Sequence, residues 1–416
     1  MSVELRPLGV KCNLACTYCY QSPQREAGNL PEGKNYDIAR MKTAVESEGG
    51  PFTLFGGEPL LIPVTDLQEI LAWGYDRWGS NRIQTNGTII TNTHIDLFRR
   101  YNVHVGISLD GPGELNDARR IGNLRRTRRA TQAIERAIER LIEAEVPVSL
   151  IITIHRGNAS VDRLPILLKW MRHVHRLGVH SMRVHLLESE SDAIRSEWGL
   201  SPTENIHALR SIGALERDEP RLRIDVFEDM RRMLVGNDEG VTCIWRACDA
   251  YTTRAVRGVE GHGQRSNCGR TNKDGIDFVK ASIEGFERYI ALYHTPQEYG
   301  GCSGCRFFLM CKGQCPGTAI DGDWRNRTEH CEVWFDLLEQ LEFELAVKGK
   351  IPLSLQPRRS DVENALIAAW TAGRNPSLAS ILRNLGIRGV TDWTDEVKRL
   401  VRELELSLSG AERRAD

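Results

Sequence analysis

Short apolar runs alternate with longer segments of helical period through the first half of the chain. Val3–Leu8, Phe52–Phe55, Arg82–Thr85, Val103–Leu109, Val146–Ile154 and Met182–Leu186 each read as a strand. Between them, the segment 35–48 places Ile38, Met41 and Val45 on one helical face. The segment 127–145 does the same with Ile134, Ile138, Leu141 and Ile142. Six strands, each followed by a helix, predict an α/β fold with a parallel (β/α)6 sheet, a partial barrel of the TIM type. Chemistry in parallel barrels gathers at the C-terminal ends of the strands. The distinctive residues of this chain fall there repeatedly.

The pattern changes twice further on. From Ser189 to Asn237 the text is polar and helix-prone, punctuated by Pro202 and Pro220, and reads as a bridge. Beyond Pro352 and Pro357, Ser360-Asp361-Val362-Glu363 reads as a capping box opening a helix through Leu366 and Trp370. Further helical stretches are predicted at Leu378–Leu385 and Trp393–Leu408, to pack on the body or to meet a partner. The expected division is a barrel over 1–188, a helical bridge over 189–240, a cysteine-rich domain over 241–345 and a helical extension over 346–416.

With 416 residues and a formal charge of −1, the chain has no global field that would favour nucleic acid or a membrane. Met1-Ser2-Val3-Glu4-Leu5 lacks a signal-peptide pattern, and no apolar run approaches a membrane span. A cytoplasmic location is therefore expected. In that compartment the eleven cysteines read as metal ligands rather than disulfides.

Cys12, Cys16 and Cys19 stand in C-x3-C-x2-C spacing. A [4Fe–4S] cube closed by four protein sulfurs can only carry electrons, whereas three leave one iron open to an outside ligand. Gly56-Gly57-Glu58-Pro59 follows the second strand, with glycines that permit a close backbone approach and a carboxylate beside them. Thr85-Asn86-Gly87 follows the third strand, and Ser108-Leu109-Asp110-Gly111 the fourth. Six arginines lie between Arg119 and Arg129, either as a solvated helix entrance or as a docking surface for an acidic peptide. His173, His175, His180 and His185 share no metal-ligand spacing and read as surface or packing residues.

The cysteine triad followed by Gly-Gly-Glu-Pro resembles the radical S-adenosylmethionine (SAM) superfamily. That resemblance implies a SAM-binding [4Fe–4S] cluster on Cys12, Cys16 and Cys19, with SAM contacts from Tyr18, Gly56, Gly57, Glu58, Pro59, Asn86 and Ser108. It implies Arg120 as well, with Arg119 an equally placed neighbour. A second cysteine set, from Cys243 to Cys331, is similar to the SPASM domain and implies two auxiliary [4Fe–4S] clusters. Cluster I takes Cys243, Cys248, Cys268 and Cys315, and cluster II takes Cys302, Cys305, Cys311 and Cys331. Cys243 stands outside the seven-cysteine pattern. Without it cluster I keeps an open iron, and with it both auxiliary clusters are closed.

Every cysteine then serves a cluster, which leaves no thiol to return a hydrogen atom and points to net oxidation. The resemblance implies a maturase of a ribosomally made peptide, forming a cross-link or a comparable two-electron oxidation product. The alternatives are an anaerobic sulfatase (formylglycine) maturase, a small-molecule dehydrogenase, or a non-catalytic redox protein. In sulfatase maturases a carboxylate base follows the third cluster-I cysteine, where this chain has Gly269 and Arg270. Asp249 and Asp274 are the candidate bases in its place. The partners implied are a peptide or protein substrate and an electron donor such as flavodoxin or ferredoxin. Because no leader-recognition domain fits before Cys12, a separate leader-peptide recognition protein is also expected.

Overall fold

The computed structural model describes residues 2–26, 36–189, 191–248, 256–266, 268–270 and 283–388, and the backbone of 391–392. Its spine is a sheet of nine strands. The six expected strands form its centre: β1 (Val3–Arg6), β2 (Phe52–Leu54), β3 (Asn81–Thr85), β4 (Val103–Ser108), β5 (Val148–Ile154) and β6 (Ser181–Leu186). They lie side by side in chain order and all pair in parallel. Parallel neighbours in this order require a crossover between each pair. Helices supply them: α1 (Ile38–Ser47), α2 (Val64–Trp78), α3 (Asn92–Arg100), α4 (Leu124–Glu143) and α5 (Leu164–Leu177).

The sheet does not stop at six strands. After α6 (Pro202–Asp218), β7 (Arg223–Ile224) pairs in parallel with β6. At the other edge, β8 (Gly258–Glu260) pairs in parallel with β1, and β9 (Arg265–Ser266) closes antiparallel on β8. The cysteine-rich region is thus joined to the barrel through main-chain hydrogen bonds. Arg6, almost wholly buried, clamps this junction with an ion pair of 2.7 Å to Glu260. Such short strands carried too little alternation to be read from sequence.

Local chemistry explains the element ends. Asn123 caps α4 by accepting from the Arg126 amide at 3.0 Å. Ser201 and Glu204 form a reciprocal capping box on α6, with Pro202 at the first turn. In β5, Leu150, Ile152 and Ile154 are fully buried while the alternate residues are half-buried, so one face meets the core. Each such aliphatic side chain contributes about 1.5–3 kcal/mol through burial.

The later helices pack on this body. α7 (Asp225–Leu234) follows β7, and α8 (Cys331–Val347) lies along α6 through Arg210–Asp336 at 2.7 Å and Arg217–Glu344 at 3.2 Å. α9 (Arg359–Thr371) inserts the buried Trp370 beside Tyr289, with ring centroids 5.3 Å apart. The predicted capping box at its start does not form. The cap falls at Arg358, which places Ser360 inside the first turn, and Glu363 pairs with Arg359 at 2.9 Å instead. The helix predicted at Leu378–Leu385 is present as Leu378–Asn384, and Trp393–Leu408 lies outside the described residues.

Candidate active site

The strand ends converge on one cavity of about 300 Å³. Its first wall is the loop after β1, which carries Cys12, Cys16 and Cys19. A two-residue antiparallel ladder between Ala15–Cys16 and Arg119–Arg120 holds that loop. The Gly56-Gly57 turn packs against it from below. The Gly57 amide donates to the Gly9 carbonyl and the Glu58 amide to the Lys11 carbonyl, both at 2.9 Å. A Cβ on Gly57 would sit 2.2 Å from the Lys11 carbonyl oxygen. Gly56, at φ +123°, has the Gly9 carbonyl oxygen at 2.5 Å from such an atom. The glycines therefore serve the approach of two loops.

Glu58 does not line the cavity. Its carboxylate is buried beneath the floor and accepts from the Leu60 amide at 3.0 Å, the Thr85 hydroxyl at 2.7 Å and the Asn86 amide at 2.7 Å. Burial pushes its carboxyl above the usual range, and these three donors oppose the shift. Glu58 in this way fixes Asn86, whose side-chain amide donates to Asn13 at 2.8 Å and approaches the Cys12 sulfur at 3.7 Å. Pro59, also buried, opens the short turn that follows. Ser108 lines the cavity and accepts from Gln84 at 2.9 Å.

Asp110 is the hub that sequence reading quoted without assigning a role. Fully buried, it accepts from the Tyr18 hydroxyl and, at 3.0 Å, from the Thr153 amide. His155 Nδ1 accepts from the Gly157 amide at 3.0 Å, so its ring proton sits on Nε2, 3.6 Å from Asp110. Burial pushes the Asp110 carboxyl up, but His155, Arg119 and Tyr18 outweigh it and hold it below the usual range. Arg119 donates to the Tyr18 hydroxyl at 3.2 Å and lines the cavity. Arg120 is exposed and lies in an outer groove with Arg128, Arg156 and Trp198. Adjacent residues on a strand face opposite ways, so only one of this pair turns inward. In the outer groove Arg128 is engaged by Asp117 at 2.8 Å, so the arginine-rich segment is not a uniformly free basic surface.

The same cavity is also lined by Cys243, Cys248, Cys268 and Cys315. Cys243 lies close enough to Cys248 and Cys315, and Cys268 to Cys243 and Cys315, for ionising one to disfavour ionising the next. Away from the cavity, Cys311 is similarly coupled to Cys302, Cys305 and Cys331. Burial pushes the Cys16, Cys243 and Cys302 thiols up to about 12, so bound metal has to displace their protons. Among the described residues no three His, Cys, Asp or Glu side chains close around a single ion. Each thiolate of a cube ligates a different iron, so the fit rests on donor chemistry: all sulfur, in sets of three, four and four.

Charged side chains from β6 and beyond line the same cavity. Arg270 forms an ion pair with Glu188 at 3.0 Å and meets His185 Nδ1 at 2.8 Å. His185, read from sequence as a packing residue, thus lines the cavity. Asp225 pairs with Arg183 at 3.0 Å, and burial pushes its carboxyl up to about 6 against that cation. Asp249 and Asp274 lie outside the described residues. Sequence reading missed Glu188, His185 and Asp225, although the first two follow the strand-end rule that located the rest.

Comparison with known proteins agrees with this geometry. Residues 7–167 match the radical SAM superfamily profile. The chain is 32% identical over 214 residues to a serine-type anaerobic sulfatase-maturating enzyme of Klebsiella aerogenes, covering 48% of this chain and 50% of that one. It is 25% identical over 361 residues to a serine-type enzyme of Bacteroides thetaiotaomicron, covering 76% and 82%. The chain spans about half the length of the Klebsiella relatives. Among solved structures, anSMEcpe with bound AdoMet and Cp18Cys peptide aligns with a TM-score of 0.62 at 18% identity, over 83% of this chain and 98% of that one. Streptococcus suis SuiB bound to precursor peptide SuiA aligns with a TM-score of 0.53 at 14% identity, over 79% and 75%. At those identities the likeness is one of fold. With the cysteine triad, the strand-end cavity and the matched profile in agreement, residues 7–167 are a radical SAM domain.

Proposed function

We propose that this chain matures a peptide or protein substrate by a net two-electron oxidation of a side chain. One observation carries the reading: a three-cysteine loop and a four-cysteine set line a single cavity. A reduced [4Fe–4S] cluster held by Cys12, Cys16 and Cys19 would cleave bound SAM to methionine and a 5′-deoxyadenosyl radical able to take one hydrogen atom from substrate, and an auxiliary cluster would accept the second electron as a proton leaves. Tyr18, Asn86, Ser108 and Arg119 line the cavity and are the proposed SAM contacts, and Glu58 holds the Asn86 loop in register. Cys243, Cys248, Cys268 and Cys315 are the donors for auxiliary cluster I, and Cys302, Cys305, Cys311 and Cys331 for cluster II. All eleven cysteines are then committed, so no thiol remains to return a hydrogen atom. A flavodoxin or ferredoxin is the proposed electron source, with a separate protein recognising any leader segment.

Two products satisfy this chemistry. One is an intramolecular cross-link, the outcome first expected from the cysteine assignment. The other is a carbonyl on one residue, favoured by similarity to the serine-type sulfatase-maturating enzymes. Anaerobic turnover in deuterated water, followed by mass spectrometry, tests the common step. The product is expected to be two hydrogens lighter than its substrate, with no deuterium at the α-carbon. Incorporation of one α-deuterium would mean epimerisation and overturn the reading. Hydrazide labelling then separates a carbonyl, which reacts, from a cross-link, which does not.

A further inference from the structure

Two arginines among the cysteine loops away from the cavity have no carboxylate partner. Arg288, in the helix Glu287–His294, is 1% exposed. Its guanidinium donates only to backbone carbonyls: Trp324 at 2.6 Å, Asn326 at 2.9 Å, Gln314 at 3.2 Å and Gly313 at 3.5 Å. Arg327 donates to the carbonyls of Gln297 and, at 2.7 Å, Gly301. Among the described residues neither forms an ion pair with a carboxylate. By contrast, Arg270 in the cavity is taken by Glu188 at 3.0 Å, and Arg306, beside Cys305, by Glu339 at 2.7 Å and Glu342 at 3.0 Å.

The acceptors lie on the peptides that carry the cysteines. The Gly301 carbonyl belongs to the peptide that enters Cys302, and Trp324, Asn326 and Arg327 lead into Cys331. Between Cys311 and Cys315, the successive residues Lys312, Gly313 and Gln314 stand at φ +50°, +71° and +59°. Side chains rarely adopt that region, and Arg288 holds two of the three carbonyls in the run. Both guanidinium groups lie close enough to Cys302, and Arg327 to Cys331, to favour their thiolates.

Carbonyl dipoles solvate a guanidinium without cancelling its charge, so burying one calls for an anion nearby. A cube held by four thiolates is that anion, and it gains a further negative charge on reduction. A fixed cation beside it therefore favours the reduced form. We infer that Arg288 and Arg327 are the counter-cations of a cluster on Cys302, Cys305, Cys311 and Cys331 and raise its reduction potential. The cluster is thereby a stronger acceptor for the second electron of the oxidation, a consequence that rests on the maturase reading.

The test is a redox titration of the anaerobically reconstituted full chain, followed by electron paramagnetic resonance with substrate left out. Arg288→Gln and Arg327→Gln remove the charge, whereas Arg288→Lys and Arg327→Lys keep it and lose the fork of donors. At equal iron content per chain, each Gln variant is expected to lower the reduction equilibrium constant of one auxiliary transition by about tenfold, a fall of about 59 mV for one electron. Each Lys variant should stay within about threefold of wild type. If Arg288→Gln fails to hold iron, the Arg327 pair decides alone. Unmoved potentials in the Gln variants, or equal falls in Gln and Lys, would show that the arginines only brace the loops and would overturn the inference. Product analysis with the reduced wild-type protein fails separately. The expected shifts without oxidised product sink the maturase reading alone, and oxidised product with unmoved potentials sinks the counter-cation role alone.

Discussion

Replacing Asp110 by Asn should loosen the cysteine loop from a distance, because this carboxylate holds three elements together. In the native chain Oδ1 accepts from the Thr153 amide at 3.0 Å, while Oδ2 faces the Tyr18 hydroxyl and His155 Nε2. Asn keeps the Thr153 bond through its oxygen. Its neutral amide nitrogen then replaces the charged oxygen that accepts from the Tyr18 hydroxyl and lies 3.6 Å from His155 Nε2. Losing charge-assisted hydrogen bonds costs about 1.5–3 kcal/mol each, and the relief of a buried charge offsets part of this. The expected loss is about 2–4 kcal/mol, a fall of roughly 2–5 °C in thermal midpoint for a chain of this size. The sign of the pH dependence follows from the depressed carboxyl. Its contribution is complete above the unfolded value of about 3.9 and is lost as pH falls through the folded value. The gap between wild type and Asp110→Asn should therefore be widest near neutrality and close in acid. Anaerobic thermal and urea unfolding followed by circular dichroism measures both quantities. A difference below about 0.5 kcal/mol at neutral pH, or one that does not change with acidification, would refute the network argument.

Three further outcomes are expected. Arg119→Met should weaken SAM binding by about tenfold or more, and Arg120→Met should leave it within about twofold, read by equilibrium dialysis on the iron-loaded protein. Equal losses would show that facing the cavity does not separate the two. Replacing Cys12, Cys16 and Cys19 together by alanine should lower iron from about twelve to about eight atoms per chain, by colorimetric assay, and abolish SAM cleavage. Asp225, raised to about 6 by burial against the pull of Arg183, contributes stability below its unfolded value that is lost as pH rises through about 6. Asp225→Asn should remove that dependence, on the order of 2–3 kcal/mol, and a wild-type stability that is flat from pH 4 to about 7 would contradict it.

The sequence by itself determined the six central strands, the helices between them and the cysteine triad, because each is a local signal. Apolar runs at strand length report burial directly, and C-x3-C-x2-C brings three thiols together whatever the rest of the chain does. Tertiary structure decided which neighbour of a pair faces inward. Arg119 and Arg120 are equivalent in spacing, and only the register of Ala15–Cys16 against Arg119–Arg120 sends one to the cavity and the other to solvent. It also decided the partners of Glu58, whose carboxylate oxygens are taken by the Thr85 hydroxyl at the end of β3 and by the Asn86 amide just beyond it. Glu188, Arg270 and His330 come from three distant stretches, so no window of sequence could show that they share a cavity. The joining of β8 to β1 was equally hidden, for three residues have no readable period and their pairing is a contact across some 250 positions. Local patterns fix what each segment can become, and long-range packing fixes which of its groups are left facing the substrate.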